Sequence, residues 1–140
     1  MRQPEQLDTF RRVVLFFLLA TIFLLQPAAD GRADELVSCR YQQAEGRRIS
    51  LRLDIGSPPP SMLILVQRIP VGITITKATP PVKKYNSRRG VAKWLLKGLQ
   101  PGTMLFSMEL DGEVAADQIN GEIRYKNPAG GKMQVMAIRP

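Results

Sequence analysis

The residues that could do chemistry in this chain are few. Among 140 residues there is one cysteine and no histidine. Without histidine the chain lacks the usual general base near neutral pH and the commonest metal ligand, so Ser-His-Asp and Cys-His arrangements are excluded. A single cysteine rules out an internal disulfide, CxxC redox chemistry and a thiolate zinc site within one chain. No SxxK motif offers a serine–lysine dyad, and no GxGxxG or P-loop occurs. Asp111-Gly112-Glu113 with Asp117 supplies oxygen donors suited to calcium, but Asp-Gly is also a turn dipeptide, and a hairpin turn is the expectation there. Gly130-Gly131 has no helix after it to make a phosphate cradle. The six methionines read as adaptable core fillers rather than metal ligands. The composition therefore points away from an enzyme, and no cofactor, metal or small-molecule substrate is expected.

One constellation stands above this background. Lys77, Lys83, Lys84, Arg88, Arg89, Lys93 and Lys97 fall in residues 77–97, a window without a single acidic residue. Residues 34–140 carry 16 Lys and Arg against 9 Asp and Glu, so the net positive charge of that part of the chain is concentrated in this window. Such a patch would attract an anionic partner: a lipid headgroup, lipopolysaccharide, an acidic polysaccharide or an acidic protein. Its alternative role is a solvated face, or lysines that block pairing at a sheet edge. Nucleic acid fits less well, because the aromatic residues Tyr41, Tyr85, Trp94, Phe106 and Tyr125 are mostly claimed by the core, leaving little for base stacking.

The elements that must position this window read as strands. Residues 90–103, GVAKWLLKGLQPGT, hold the only tryptophan, Trp94, in a short apolar run closed by Pro101-Gly102. Alternation puts Ala92, Trp94 and Leu96 on an inward face and Lys93, Leu95 and Lys97 on the other. The same period of two runs through Ile49, Leu51, Leu53 and Ile55, through Met104, Phe106, Met108 and Leu110, and through Ile119, Gly121, Ile123 and Tyr125. The structural core is expected to centre on Trp94, Leu96, Phe106 and Ile123. Residues 36–43 would pair with residues 49–55 as a hairpin across 44–47. Residues 62–69, apolar on both faces, read as an interior strand. Residues 73–76 resume a strand, residues 83–90 read as turn-like, and residues 113–118 have room for at most one helical turn. Seven or eight short strands separated by Pro-Gly, Asp-Gly and Gly-Gly signals make an all-β chain, an antiparallel sandwich over residues 34–140.

The order of these features resembles a known family. A strand-opening Pro70-Val71-Gly72, then Thr79-Pro80, Tyr85, Gly90, the Trp94 strand and Leu99-Gln100-Pro101-Gly102 are similar to the conserved-repeat Ig-like β-sandwich modules, of unknown function, of bacterial surface and envelope proteins. The likeness covers about residues 48–112. It implies an Ig-like sandwich used as an extracytoplasmic structural or adhesive unit, here in one copy without tandem repeats. Its motifs are turn and core residues and imply no chemistry.

The N-terminal residues supply an address. Arg11-Arg12 precede residues 13–25, an apolar run interrupted only by Thr21. Its length suits the hydrophobic region of a secretory signal and falls short of the roughly 20 residues of a bilayer-spanning helix. Small residues at Gly31 and Ala33 favour cleavage before Asp34, and Pro27-Ala28-Ala29 offers an earlier site. Residues 1–33 are thus expected to be a signal peptide of a protein exported to the periplasm or cell envelope; the alternative is an uncleaved anchor in the inner membrane through residues 13–25. Leu36-Val37-Ser38-Cys39 has the form of a lipidation site at Cys39. The charged residues Asp30, Arg32, Asp34 and Glu35 separate it from the apolar run, so a strand cysteine is the expectation. The function expected is a non-catalytic binding or structural module of the envelope. The alternative is a membrane-tethered accessory subunit that docks on an acidic envelope complex.

Overall fold

The computed structural model describes residues 35–140; the expectations for residues 1–33, signal and anchor alike, lie outside the described residues. Eight strands follow in order: β1 (Val37–Ile55), β2 (Met62–Arg68), β3 (Ile75–Thr79), β4 (Lys84–Asn86), β5 (Val91–Lys97), β6 (Gly102–Val114), β7 (Asn120–Lys126) and β8 (Met133–Ile138). Two 3-10 turns interrupt them, Ser87–Arg89 and Ala116–Gln118. The strands form two antiparallel sheets, one ordered β1-β6-β3 and the other β4-β5-β2-β7-β8.

β1 is an unbroken run of extended backbone 19 residues long. Straight, it would separate its ends by roughly 60 Å at about 3.3 Å per residue. Yet the amide of Gly56, just past its end, donates to the carbonyl of Leu36, just before its start, at 2.7 Å. The run must fold back on itself, and Gly46, with φ of 77°, provides the left-handed residue at the bend. Its second arm pairs with β6 through Ile49↔Met108, Leu51↔Phe106 and Leu53↔Met104. The first arm therefore lies on that arm's free side.

The two sheets share one core. Ile49, Leu51, Leu53, Phe106 and Met108 from the first sheet and Leu63, Leu65, Trp94 and Ile123 from the second are buried together. The ring of Trp94 meets that of Phe106 edge-on, centroids 5.8 Å apart and planes at 78°, which is a favoured aromatic geometry. The indole N–H donates to the carbonyl of Pro80 at 2.9 Å, so the core carries the one polar atom of this ring without leaving it unpaired.

Four expectations need correction. Leu96 is only half-buried and packs at the rim of the core. Asp111-Gly112 is not a turn; β6 runs through it to Val114, because the amide of Asp111 donates to the carbonyl of Thr74 and its carboxylate accepts from the Thr74 amide, holding the chain extended. The reversal comes later, at Ala116–Gln118, where the Gln118 side chain accepts from the Ala115 amide. Residues 83–90 contain a three-residue strand, β4, as well as a turn. The strand expected over residues 73–76 starts at Ile75 and continues to Thr79.

Candidate anion-binding site

The short strand β4 positions the basic window. It pairs with β5 through Lys84↔Lys93, Tyr85↔Ala92 and Asn86↔Val91. Ala92 is fully buried, and Tyr85 packs on the core and donates from its hydroxyl to the Ile73 carbonyl. Alternation then turns Lys84, Asn86, Val91 and Lys93 to the outer face. On β2 the inward residues are Leu63, Leu65 and Gln67, so Arg68 shares that outer face, opposite Val91.

The 3-10 turn brings a fourth cation. Asn86 accepts from the Arg89 amide at 3.2 Å, and Gly90 closes the turn in the left-handed region with φ of 61°. The Gly90 carbonyl accepts from the Ile69 amide at 2.8 Å, tying the turn to the end of β2. A Cβ on Gly90 would overlap the carbonyl oxygen of Ile69, so this close approach requires glycine. Arg68, Lys84, Arg89 and Lys93, with Asn86 and Val91, line a recess of about 310 Å³.

No carboxylate lines this recess. The ion pairs among the described residues are Arg48–Glu109, Arg52–Asp54 and Arg124–Glu122, none involving these four cations. Lys84 and Lys93 face each other directly across the strand pair, and like charges so placed are destabilising. An anion seated between them would reverse the sign of that interaction. A phosphate, sulfate or carboxylate group would find two ammonium groups, two guanidinium groups and the amide of Asn86 around it.

The structure divides the window read from the sequence. Lys84, Arg89 and Lys93 meet in the recess, together with Arg68, which lies outside the acid-free window and belongs to the site only through strand pairing. Lys77 sits on β3 in the other sheet, opposite Glu109. Lys97 is at the far end of β5, opposite Met62, and lines a separate shallow hollow with residues 95–104. Lys83 gives its amide to the Lys93 carbonyl, and Arg88 is exposed on the turn; neither lines the recess.

Several other polar and titratable groups have structural roles. Cys39 is half-buried, and burial pushes its thiol up to about 12. Burial likewise pushes the Tyr41 phenol up to about 12, the hydrogen bond to Gln67 acting in the opposite direction. Asp54 is held below its ordinary value chiefly by the hydroxyl of Thr103 and then by Arg52. No three acidic or thiol side chains among the described residues gather closely enough to hold a metal ion. Gln67, fully buried, is the polar residue that alternation did not flag: its oxygen accepts from the Tyr41 hydroxyl at 2.8 Å and its amide donates to the carbonyls of Arg68 and Asn120. No protein-family model matches the chain, and no curated protein or solved structure matches it either.

Proposed function

We propose that this protein is a non-catalytic binding module of the cell envelope, whose outer-face recess takes an anionic group. The observation that carries the reading is the convergence of Arg68, Lys84, Arg89 and Lys93, contributed by β2, β4, β5 and the turn between them, on one recess without a carboxylate. Lysines that only block pairing at a sheet edge do not require the further convergence of Arg68 and Arg89 from β2 and the turn on the same recess. The non-catalytic part rests on the missing histidine and on a thiol that stays protonated, hence unreactive, near neutral pH. The envelope address rests on Arg11-Arg12, the apolar run and the small residues before Asp34.

The Ig-like reading of the sandwich belongs to the same proposal. Its support is the repeated passage of the chain from one sheet to the other, between β1 and β2, β2 and β3, β3 and β4, β5 and β6, and β6 and β7. The motif residues also take structural roles: Trp94 plugs the core, Gly90 and Gly102 have positive φ, and Leu99 is buried.

The test is titration of the full chain with a soluble sulfated oligosaccharide and with inositol hexakisphosphate at rising salt. Binding should weaken steeply, because the Debye length is only about 8 Å at physiological ionic strength. Lys84→Ser with Lys93→Ser should weaken binding on the order of a hundredfold or more, since each of the two charged hydrogen bonds lost costs about 1.5–3 kcal/mol. Lys77→Ser, on the other sheet, should leave it nearly unchanged. Equal losses in the two variants would mean that general charge, and not the recess, does the binding.

A further inference from the structure

The recess is one corner of a larger surface. Strand registers fix what lies on the outer face of the five-stranded sheet. One row across it reads Leu95, Ile64, Arg124, Val135, from β5 to β8. The next reads Lys84, Lys93, Val66, Glu122, Ala137. Lys97 stands opposite Met62, and Lys126 opposite Met133. Among the described residues five large apolar side chains are exposed, and three of them lie on this face: Leu95 at 40%, Met133 at 57% and Val135 at 58%.

All but one of the charges around them are positive. Arg68, Lys84, Lys93, Lys97, Arg124 and Lys126 share the face, and the acid among these positions, Glu122, is already paired with Arg124. The other sheet is the internal comparison. Its outer face carries Arg48 paired with Glu109 and Arg52 paired with Asp54, and one exposed large apolar residue, Leu105. On that face, among the described residues, both carboxylates are engaged by arginines, Lys77 stands unpaired opposite Glu109, and only one large apolar side chain is exposed. The opposite one interleaves exposed hydrocarbon with unneutralised cations.

We propose that the outer face of the five-stranded sheet docks on a bilayer that contains anionic phospholipid. This rests on the reading of the recess as an anion site, and names a lipid headgroup phosphate as the anion. A hydrated polysaccharide satisfies the cations but gains nothing from Leu95, Met133 and Val135. A bilayer interface offers both anionic headgroups and, a few ångströms deeper, hydrocarbon. The long Lys and Arg stems reach the phosphates while the three apolar side chains enter the boundary between headgroup and acyl chain. Juxtaposed basic residues near an anionic surface add their attraction within a Debye length of it, so a sheet face carrying five unpaired ones among the described residues, Arg68, Lys84, Lys93, Lys97 and Lys126, is suited to lying flat.

The experiment uses the full chain with Cys39→Ser and a single new cysteine, Val135→Cys or Leu105→Cys, bearing an environment-sensitive fluorophore. Both positions are exposed, and Trp94 emission reports that each variant is folded. Vesicles are phosphatidylcholine alone, or phosphatidylcholine with about a third phosphatidylglycerol. Residues 13–25 are present in every sample, so recruitment to vesicles is not the readout; the local environment of each label is. The label at 135 should shift to the blue and be quenched by brominated lipid with the anionic vesicles, and much less with the neutral ones. The label at 105 should do neither. Adding Leu95→Ser and Met133→Ser should weaken the response at 135 on the order of tenfold, because apolar burial is lost at constant charge. A label at 135 that stays silent, or labels at 135 and 105 that respond alike, overturns the docking face. A response at 135 to an acidic protein but not to lipid also overturns it, assigning the face to a protein partner. If the 135 label is silent while Lys84 and Lys93 still govern soluble polyanion binding, the recess survives and only the docking falls. If the label responds while that pair does not matter, the recess reading falls and the face holds through its other cations.

Discussion

Replacing Tyr41 by Phe tests whether the buried polar knot at Gln67 is a true structural constraint. Gln67 is fully buried, and all of its polar atoms are occupied: Oε1 by the Tyr41 hydroxyl at 2.8 Å, Nε2 by the Asn120 carbonyl at 3.1 Å and by the Arg68 carbonyl at 2.9 Å. Phe keeps the ring and removes only the donor. The Gln67 oxygen is then buried without a partner. Gly121 closes over it so tightly that a Cβ there would lie 3.4 Å from that oxygen and 3.1 Å from the Tyr41 hydroxyl, which leaves little room for a replacing water. An orphaned buried acceptor costs about 1–3 kcal/mol, and about 2 is expected here because the packing of the ring is retained. Urea unfolding followed by Trp94 emission reads it: with a slope of about 1–1.5 kcal/mol per molar for a domain of this size, the midpoint should fall by about 1.5 M. Gln67→Leu in the Tyr41→Phe background should cost less than the sum of the two single changes, by about 1 kcal/mol or more. A midpoint shift below about 0.4 M for Tyr41→Phe, or strict additivity in the cycle, would refute the reasoning.

Two further outcomes are expected. Burial raises the folded values of the Cys39 thiol and the Tyr41 phenol to about 12 from ordinary values of 9.0 and 10.0, so both are neutral in the folded chain where the unfolded chain would ionise. Their contribution is complete below the unfolded values and is lost as pH rises through the folded ones; stability should therefore decline between about pH 9 and 12, and in Cys39→Ser the decline should start nearer pH 10, whereas superimposable profiles would count against the burial argument. Intact mass of the protein recovered from the envelope should correspond to a chain beginning at Asp30 or Asp34, after the small residues Ala29 or Ala33; a full-length chain would favour the anchor, and a diacylglyceryl mass on Cys39 the lipoprotein.

Alternation made most of the core legible, because a half-buried strand must repeat every two residues. Ile49, Leu51, Leu53, Phe106, Met108 and Ile123 are all fully buried, as their spacing implies. What alternation could not show is what a neighbouring strand contributes. Arg68 closes an apolar strand and gives no local sign that it faces Lys93 and Arg89; only the β2–β5 register brings it there. Gln67 looks like the end of that same apolar run, and its partners come from residues 41 and 120, far away in the chain. The charge window 77–97 reads as one patch, but the chain leaves the first sheet after Thr79 and enters the second at Lys84, so Lys77 is parted from the rest. β4 has three residues, too few for a period to show, and Asp111-Gly112 carries a local turn preference that tertiary pairing with Thr74 overrides.

The position of β6 also sets an order on how the domain can assemble. β1 and β3 both pair with β6 and not with each other, through registers such as Ile49↔Met108 and Ala78↔Met108. β2, β4 and β5, by contrast, can pair once the chain has reached Lys97. A chain emerging from the ribosome can close the β1 bend early, but the other edge of its second arm, along Ile49, Leu51 and Leu53, stays unpaired until residues 102–114 have appeared. Contacts this distant in sequence form slowly, because the loop must close before any pairing compensates for it. That delay lengthens the interval in which the chain is incompletely folded. It also lengthens the interval in which an open strand edge is exposed to aggregation. A fragment ending before Gly102 should remain in that state and aggregate.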